Sequence, residues 1–224
     1  LSSRVCHDLI NPVGALRKLF GRAPFVRDVA TVYALVTLAR HVLDAQFTVY
    51  ARYKFGWSQQ QSGPLLVLVG LMLAIAPRVL VPMLGLRRAI EYGVLAFAAG
   101  LALTGLSPTP VGFVLGLFVV SVGCVCIPAM QALFTNLAST SERGALLGAL
   151  GSLTELDGAI GSTMYAYFLA TFTSEAPPIK GVPGMHFLVA AALLLGAWGV
   201  VKHAFAAPDA TRAADAMPAE MDTM

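Results

Sequence analysis

FLVAAALLLGAWGVV, residues Phe187 to Val201, is apolar on every side of any backbone it adopts. A transmembrane strand alternates apolar and polar side chains over about ten residues, so this run does not read as one. A helix crossing roughly 30 Å of hydrocarbon needs about 20 apolar residues, and the run with its flanks, Met185 to Phe205, meets that need. Five upstream stretches read the same way: Phe25 to Tyr50, Ser62 to Leu84, Arg88 to Leu106, Val111 to Leu137 and Gly144 to Phe172. Their connectors carry turn chemistry: Gly56-Trp57-Ser58, Gly85, Ser107-Pro108-Thr109-Pro110, Ala138 to Ser141, and Pro177-Pro178 through Pro183-Gly184. The predicted fold class is an all-α membrane protein with six transmembrane helices.

Composition agrees. The 224 residues are 57% hydrophobic and 12% charged, against roughly 45–50% and 25% in soluble domains. Charges crowd the ends, which delimits a cytoplasmic linker over 1–24, a six-helix domain over 25–205 and a disordered cytoplasmic tail over 206–224. In the linker, Asn11-Pro12 followed by Ala15, Leu16, Leu19 and Phe20, with Arg17, Lys18 and Arg22 between, reads as a short interfacial helix. The chain begins at Leu1 without the basic start and cleavage site of a secretory signal, and is expected to be a fragment or processed product.

The net charge of +3 does not imply a nucleic-acid partner, because the basic residues form no continuous stripe. They read as topology signals. Arg4, Arg17, Lys18, Arg22, Arg27, Arg87, Arg88, Arg143, Lys202 and Arg212 gather on the side of the termini, and Arg52, Lys54 and Lys180 on the other. The positive-inside rule then places both termini in the cytoplasm. Cys6, Cys124 and Cys126 are an odd count with no ligand-spaced histidine, so neither a disulfide framework nor a metal site is expected.

The spans differ in polarity. The third and sixth hold almost no polar atoms and can face lipid on most sides. Arg40, His41, Asp44 and Gln46 interrupt the first, and Ser152, Thr154, Glu155, Asp157, Ser162 and Thr163 the fifth. Each central charge costs about 2.5–3.5 kcal/mol on insertion scales, so these faces must meet protein or water. On a helical wheel Tyr33, Thr37, Arg40, Asp44 and Phe47 fall within about 60° of one another, with Thr48 beside them. That stripe reads either as a cavity wall, with Arg40 binding an anionic group or neutralising a carboxylate, or as an Arg40–Asp44 pair at i, i+4 that makes the helix insertable. His41, about 100° from Arg40, reads as a hydrogen-bonded core residue or a proton relay.

Glu155 and Asp157 lie about 200° apart on their helix and cannot act as a dyad. Glu155 shares a small-residue face with Gly151, Ser152, Gly158 and Ser162 that lets another helix approach, while Asp157 points toward Thr154, Gly161 and Met164. At 1.5 Å per residue, Arg40 and Glu155 lie at matching depths, roughly 20 and 18 Å from the same side. A buried pair of Arg40 with Glu155 or Asp157 is one reading, with a carboxylate able to carry protons; a fixed structural pair is the other. Pro77-Arg78 with Pro82 predicts a kink in the second span, where Arg78 either snorkels to headgroups or closes a gate. Pro128 predicts a kink in the fourth, with Gln131 facing the cavity. Gly112/Gly116, Gly144/Gly148 and Gly158/Gly161 read as packing surfaces. No nucleophile elbow, phosphate loop or His-Glu-x-x-His occurs, so no catalytic residue and no cofactor are expected.

The passage Ile127-Pro128-Ala129-Met130-Gln131-Ala132-Leu133, then Glu142-Arg143-Gly144 with Gly148, Gly151, Gly158 and Gly161, resembles the tenth and eleventh helices of major facilitator superfamily transporters, in the tetracycline-exporter and hippocampus-abundant-transcript-like branch. Leu84-Gly85-Leu86-Arg87-Arg88 resembles that superfamily's basic cytoplasmic loop, without its acidic residue. The resemblance, over roughly Asn11 to Phe205, implies the C-terminal half of a twelve-helix transporter. Its first and fourth spans would line the cavity, the second and fifth would face the other half, and the third and sixth would lie outermost.

It further implies secondary transport of a small organic solute, coupled to protons in an antiporter. Tyr33, Thr37, Arg40, Asp44, Gln131, Glu155 and Asp157 would form the pathway, and Arg78, Arg87, Arg88, Pro128, Arg143, Gly144, Gly148 and Gly158 would serve gating or packing. The implied partners are the solute, the bilayer and either a missing N-terminal six-helix half or a second copy. A standalone channel or scaffold that dimerises is the alternative.

Overall fold

The computed structural model describes residues 24–138, 141 and 143–206; the expected interfacial helix, Glu142 and the 207–224 tail lie outside them. The described residues fold into α-helices: α1 (Pro24–Phe55), α2 (Gln59–Leu106), α3 (Pro110–Gly123), α4 (Cys126–Leu137), α5 (Arg143–Phe172) and α6 (Met185–Ala204). Among them, α2, the continuous stretch Pro110–Leu137 and α6 are long and apolar enough to cross a membrane by length and composition.

Local chemistry sets the boundaries. The α2 start is closed by Gln61, whose Oε1 accepts from the Ser58 backbone N–H at 2.9 Å, and the α3 start by Thr109, whose hydroxyl accepts from Gly112 N–H at 3.2 Å just before Pro110. Inside α2 the non-helical residue is Gly85, at φ 75° and ψ 160°. That region is open essentially to glycine alone, so α2 is two arms, 59–84 and 86–106. The break falls at the expected Gly85 connector, and Pro77 and Pro82, the sites of the expected kink, keep helical dihedrals. The expected fourth span is interrupted at Cys124 and Val125, between α3 and α4. Pro128 lacks the N–H that would bond the Cys124 carbonyl and its ring crowds that carbonyl, which accepts instead from Ile127 N–H at 3.1 Å.

The core forms where the second arm of α2 packs on α3, α4 and α6, and where α1 packs on α5 and α6. Gly123 lets α3 touch the other backbone: a Cβ there would lie 2.3 Å from the Phe97 amide nitrogen. At one end Phe113 is surrounded by Phe47, Tyr50, Phe55, Trp57 and Phe187. There Lys54 Nζ donates to Tyr50 Oη at 2.9 Å and to the Ser107 carbonyl at 2.7 Å, tying α1 to the end of α2. At the opposite end Lys202 pairs with Glu91 and the Arg87 guanidinium lies over Phe205, 5.6 Å from the ring centroid.

Cover is uneven in a way that composition hides. The segments expected to face lipid on most sides, the second arm of α2 and α6, each bury a full face. The least covered helix is the first arm of α2, where Ser62 is buried and Leu66, Val67, Leu71, Ile75, Val79 and Met83 are exposed. Apolar side chains serve equally against lipid and against protein, so uniform hydrophobicity does not say which side is packed.

Candidate solute pathway along the first helix

Helix α1 is bordered along its length by three cavities that share its side chains. The first is lined by Thr48, Arg52, Trp57, Ser58 and Gln60 among others. A second, of about 320 Å³, is lined by Arg40, Asp44, Phe47 and Thr48 of α1, by Leu66, Val69 and Leu73 of the exposed arm of α2, and by Leu117, Val120 and Ser121 of α3. A third, of about 360 Å³, is lined by Tyr33, Thr37 and Arg40 of α1, Ile127 and Gln131 of α4, and Leu147, Gly151, Thr154 and Glu155 of α5. Thr48 borders the first two and Arg40 the last two. At Arg40 the walls change from the mostly apolar ones of the second cavity to the polar ones of the third.

A chain of hydrogen bonds fixes the polar cavity. Gln131 Nε2 donates to Tyr33 Oη at 3.0 Å, Tyr33 Oη lies 3.3 Å from Thr154 Oγ1, and Thr154 Oγ1 donates to the Leu150 carbonyl at 3.0 Å. Every member is satisfied if protons run in that order, and α1, α4 and α5 are held together by it. Behind this wall Thr37 Oγ1 meets Asp157 Oδ2 and also donates to the Tyr33 carbonyl at 2.8 Å. Asp157 is buried, 6% exposed. His41 Nε2 lies 3.3 Å from the Thr154 carbonyl, and since a carbonyl only accepts, Nε2 carries the proton. His41 Nδ1 sits 3.5 Å from Asp44 Oδ2, and Arg40 Nη2 lies 4.0 Å from Asp44 Oδ1.

The wheel-derived stripe separates into two layers. Arg40, Asp44 and Thr48 border open space, whereas Tyr33, Thr37 and Phe47 are buried beneath their cavity edges. The Arg40 partner is the local Asp44; no ion pair of Arg40 with Glu155 or Asp157 occurs among the described residues. This corrects the matched-depth pairing: depth alone ignores azimuth, and Asp157 projects onto α1 at Thr37. Glu155 is exposed and lines the same cavity as Arg40. Among the described residues no other helix packs on its small-residue face, since Gly144, Gly148 and Gly151 have nothing within 4 Å of a built Cβ. Gly158 lies on the buried side, its built Cβ 3.1 Å from His41 Cε1. Arg78, Arg88 and Arg143 are exposed, Arg87 lies over Phe205, and Pro128 borders the α3–α4 break.

Sequence reasoning missed the apolar walls, Leu66, Val69 and Leu73 with Leu117 and Val120, because nothing distinguishes them from lipid-facing residues. It also missed Glu91 with Lys202, which the i, i+4 rule cannot find across two helices.

No family model matches the chain. In sequence it is 26% identical over 195 residues to the class C tetracycline resistance protein of Escherichia coli, covering 84% of this chain and 49% of that protein. It is 29% identical over 134 residues to the class G protein of Vibrio anguillarum, covering 58% and 34%, and 28% identical over 148 residues to the class E protein of Escherichia coli, covering 64% and 36%. The chain thus spans half or less of the length of the relatives it matches. In structure it superposes on the crystal structure of the human organic anion transporter MFSD10 with a TM-score of 0.74 and 20% identity, over 90% of this chain and 48% of that one. The sequence similarity to these resistance proteins, the shared fold and the apolar helices make this an integral membrane protein.

Proposed function

We propose, for a chain that carries half of a major facilitator fold and resembles tetracycline exporters, that it supplies one half of a secondary transporter for a small organic solute. The observation that carries this is the row of cavities along α1, neighbours in it sharing Thr48 or Arg40 as a wall residue. Facilitator-type transport rocks two bundles around a site at their interface, so a half should present an incomplete site beside uncovered helices. The exposed arm of α2 and the open Gly144/Gly148/Gly151 face of α5 flank the row in that manner. In this reading the chain crosses the bilayer six times as one domain over 25–205, with both termini cytoplasmic.

Arg40, Asp44, Gln131 and Glu155 are the solute-facing residues, and Tyr33 and Thr37 hold them in register. Asp44, Glu155 and the buried Asp157 are the groups able to exchange protons in an antiport cycle. Arg87 braces the Gly85 turn through Phe205; Arg78, Arg88 and Arg143 sit at the membrane surface; Pro128 allows the α3–α4 break to flex. Gly144 and Gly148 receive a six-helix partner, while Gly158 seats His41. Catalysis and a standalone channel or scaffold are not favoured, because the relatives are resistance proteins and a transporter.

Proteoliposomes test this reading with the solutes named for the relatives, a tetracycline and an organic anion. The chain co-expressed with the N-terminal half of its parent protein should give saturable flux, and the chain alone none. Equal flux from the lone monomer would refute it.

A further inference from the structure

Two charged side chains that line the polar cavity, from α1 and α5, are short of partners. Glu155 of α5 faces it and makes no hydrogen bond or ion pair among the described residues. Arg40 of α1 has only Asp44, at 4.0 Å, the outer limit of an ion pair, with both side chains about half exposed at 42% and 52%. A guanidinium has five N–H donors in a planar fork suited to a carboxylate, and at this position almost all are unused. Arg40 also borders the neighbouring cavity, whose other walls include Leu43, Phe47, Leu66, Leu73 and Leu117.

We infer that the solute is an amphipathic zwitterion. Its anionic group takes the Arg40 guanidinium, its cationic group takes Glu155, and its apolar body fills the cavity of about 320 Å³ between α1, the exposed arm of α2 and α3. The pairing of the two groups separates this from the simpler classes. A plain anion at Arg40 leaves Glu155 without a partner and meets two carboxylates, Asp44 and Glu155. A plain cation at Glu155 leaves the Arg40 guanidinium with Asp44 alone, at 4.0 Å. A molecule with both charges answers both groups, and its apolar part suits the neighbouring cavity, which shares Arg40 and is lined by leucines and a phenylalanine. This assignment rests on the transport reading above.

A matched set on one indole body tests it: tryptophan (zwitterion), indole-3-propionate (anion) and tryptamine (cation), titrated calorimetrically into the full chain in nanodiscs, with empty nanodiscs subtracted. Tryptophan should bind tightest, by about tenfold or more. Glu155→Gln should weaken tryptophan by about tenfold to a hundredfold without weakening indole-3-propionate, whereas Arg40→Gln should weaken both acids without weakening tryptamine. Both side chains are at the cavity surface, so the variants keep the helical circular dichroism of the parent. Tightest binding of the anion or the cation, or a Glu155→Gln effect equal for all three, overturns the zwitterion and leaves the transport reading standing. No binding of any of the three also overturns the zwitterion, while the transport reading falls only if the flux experiment above fails.

Discussion

Replacing Thr37 with valine should destabilise the helical domain more than removing the carboxylate it holds. Thr37 Oγ1 has one proton, and it faces the Tyr33 carbonyl at 2.8 Å as well as Asp157 Oδ2. In Asp157→Ala the hydroxyl keeps its backbone partner, so the loss is one interhelical hydrogen bond, about 0.6 kcal/mol on membrane averages, plus a small void. In Thr37→Val the buried Asp157 carboxyl loses the side-chain partner the structure gives it, and a buried polar group left unsatisfied costs about 1–3 kcal/mol. The double variant removes the orphan and should return to within about 0.5 kcal/mol of Asp157→Ala, a coupling far outside additivity. Reversible unfolding in mixed micelles or bicelles measures all four corners of the cycle. A Thr37→Val cost below that of Asp157→Ala, or a double variant equal to the sum of the singles, would refute the proton count.

Three further outcomes follow from the geometry. Gly123→Ala places a methyl 2.3 Å from the Phe97 amide and should cost about 1–3 kcal/mol by overpacking, whereas Gly148→Ala, with nothing within 4 Å, should be neutral or stabilising by up to about 1 kcal/mol in the chain alone; unfolding midpoints compare them. Gly85→Ala, at φ 75° and ψ 160°, should cost about 1–3 kcal/mol, read as a lowered melting temperature. Single cysteines at Gln60 and Arg88, both exposed, should label with impermeant maleimide from opposite sides of a vesicle, and labelling from one side would contradict six crossings with cytoplasmic termini.

The helical segments were legible because a bilayer demands long apolar runs and leaves little else for them to do. The breaks were partly legible. Pro128 pointed to the interruption, but the disturbed carbonyl lies four residues earlier, so the break appears at Cys124. The Arg40 stripe came from periodicity alone, and the i, i+4 spacing anticipated Asp44. The contact of Asp157 with Thr37 was hidden, since it depends on the rotation of α5 against α1, which neither helix encodes by itself. The bare arm of α2 was hidden for a deeper reason: its leucines and valines are the same residues that fill the packed arm, and only what stands opposite distinguishes them.

The central claim is that one side of α1 borders a water-filled pathway. It is tested most directly by cysteine scanning of α1 in proteoliposomes with a small charged thiol reagent, the native cysteines replaced by serine. The account predicts fast modification at positions 40, 44 and 48, and at 155 on α5. It predicts none at 36, 39 and 42, whose native residues Val36, Ala39 and Val42 are fully buried. Equal reactivity around the helix, or protection at 40, 44 and 48 matching that at 36, would contradict it.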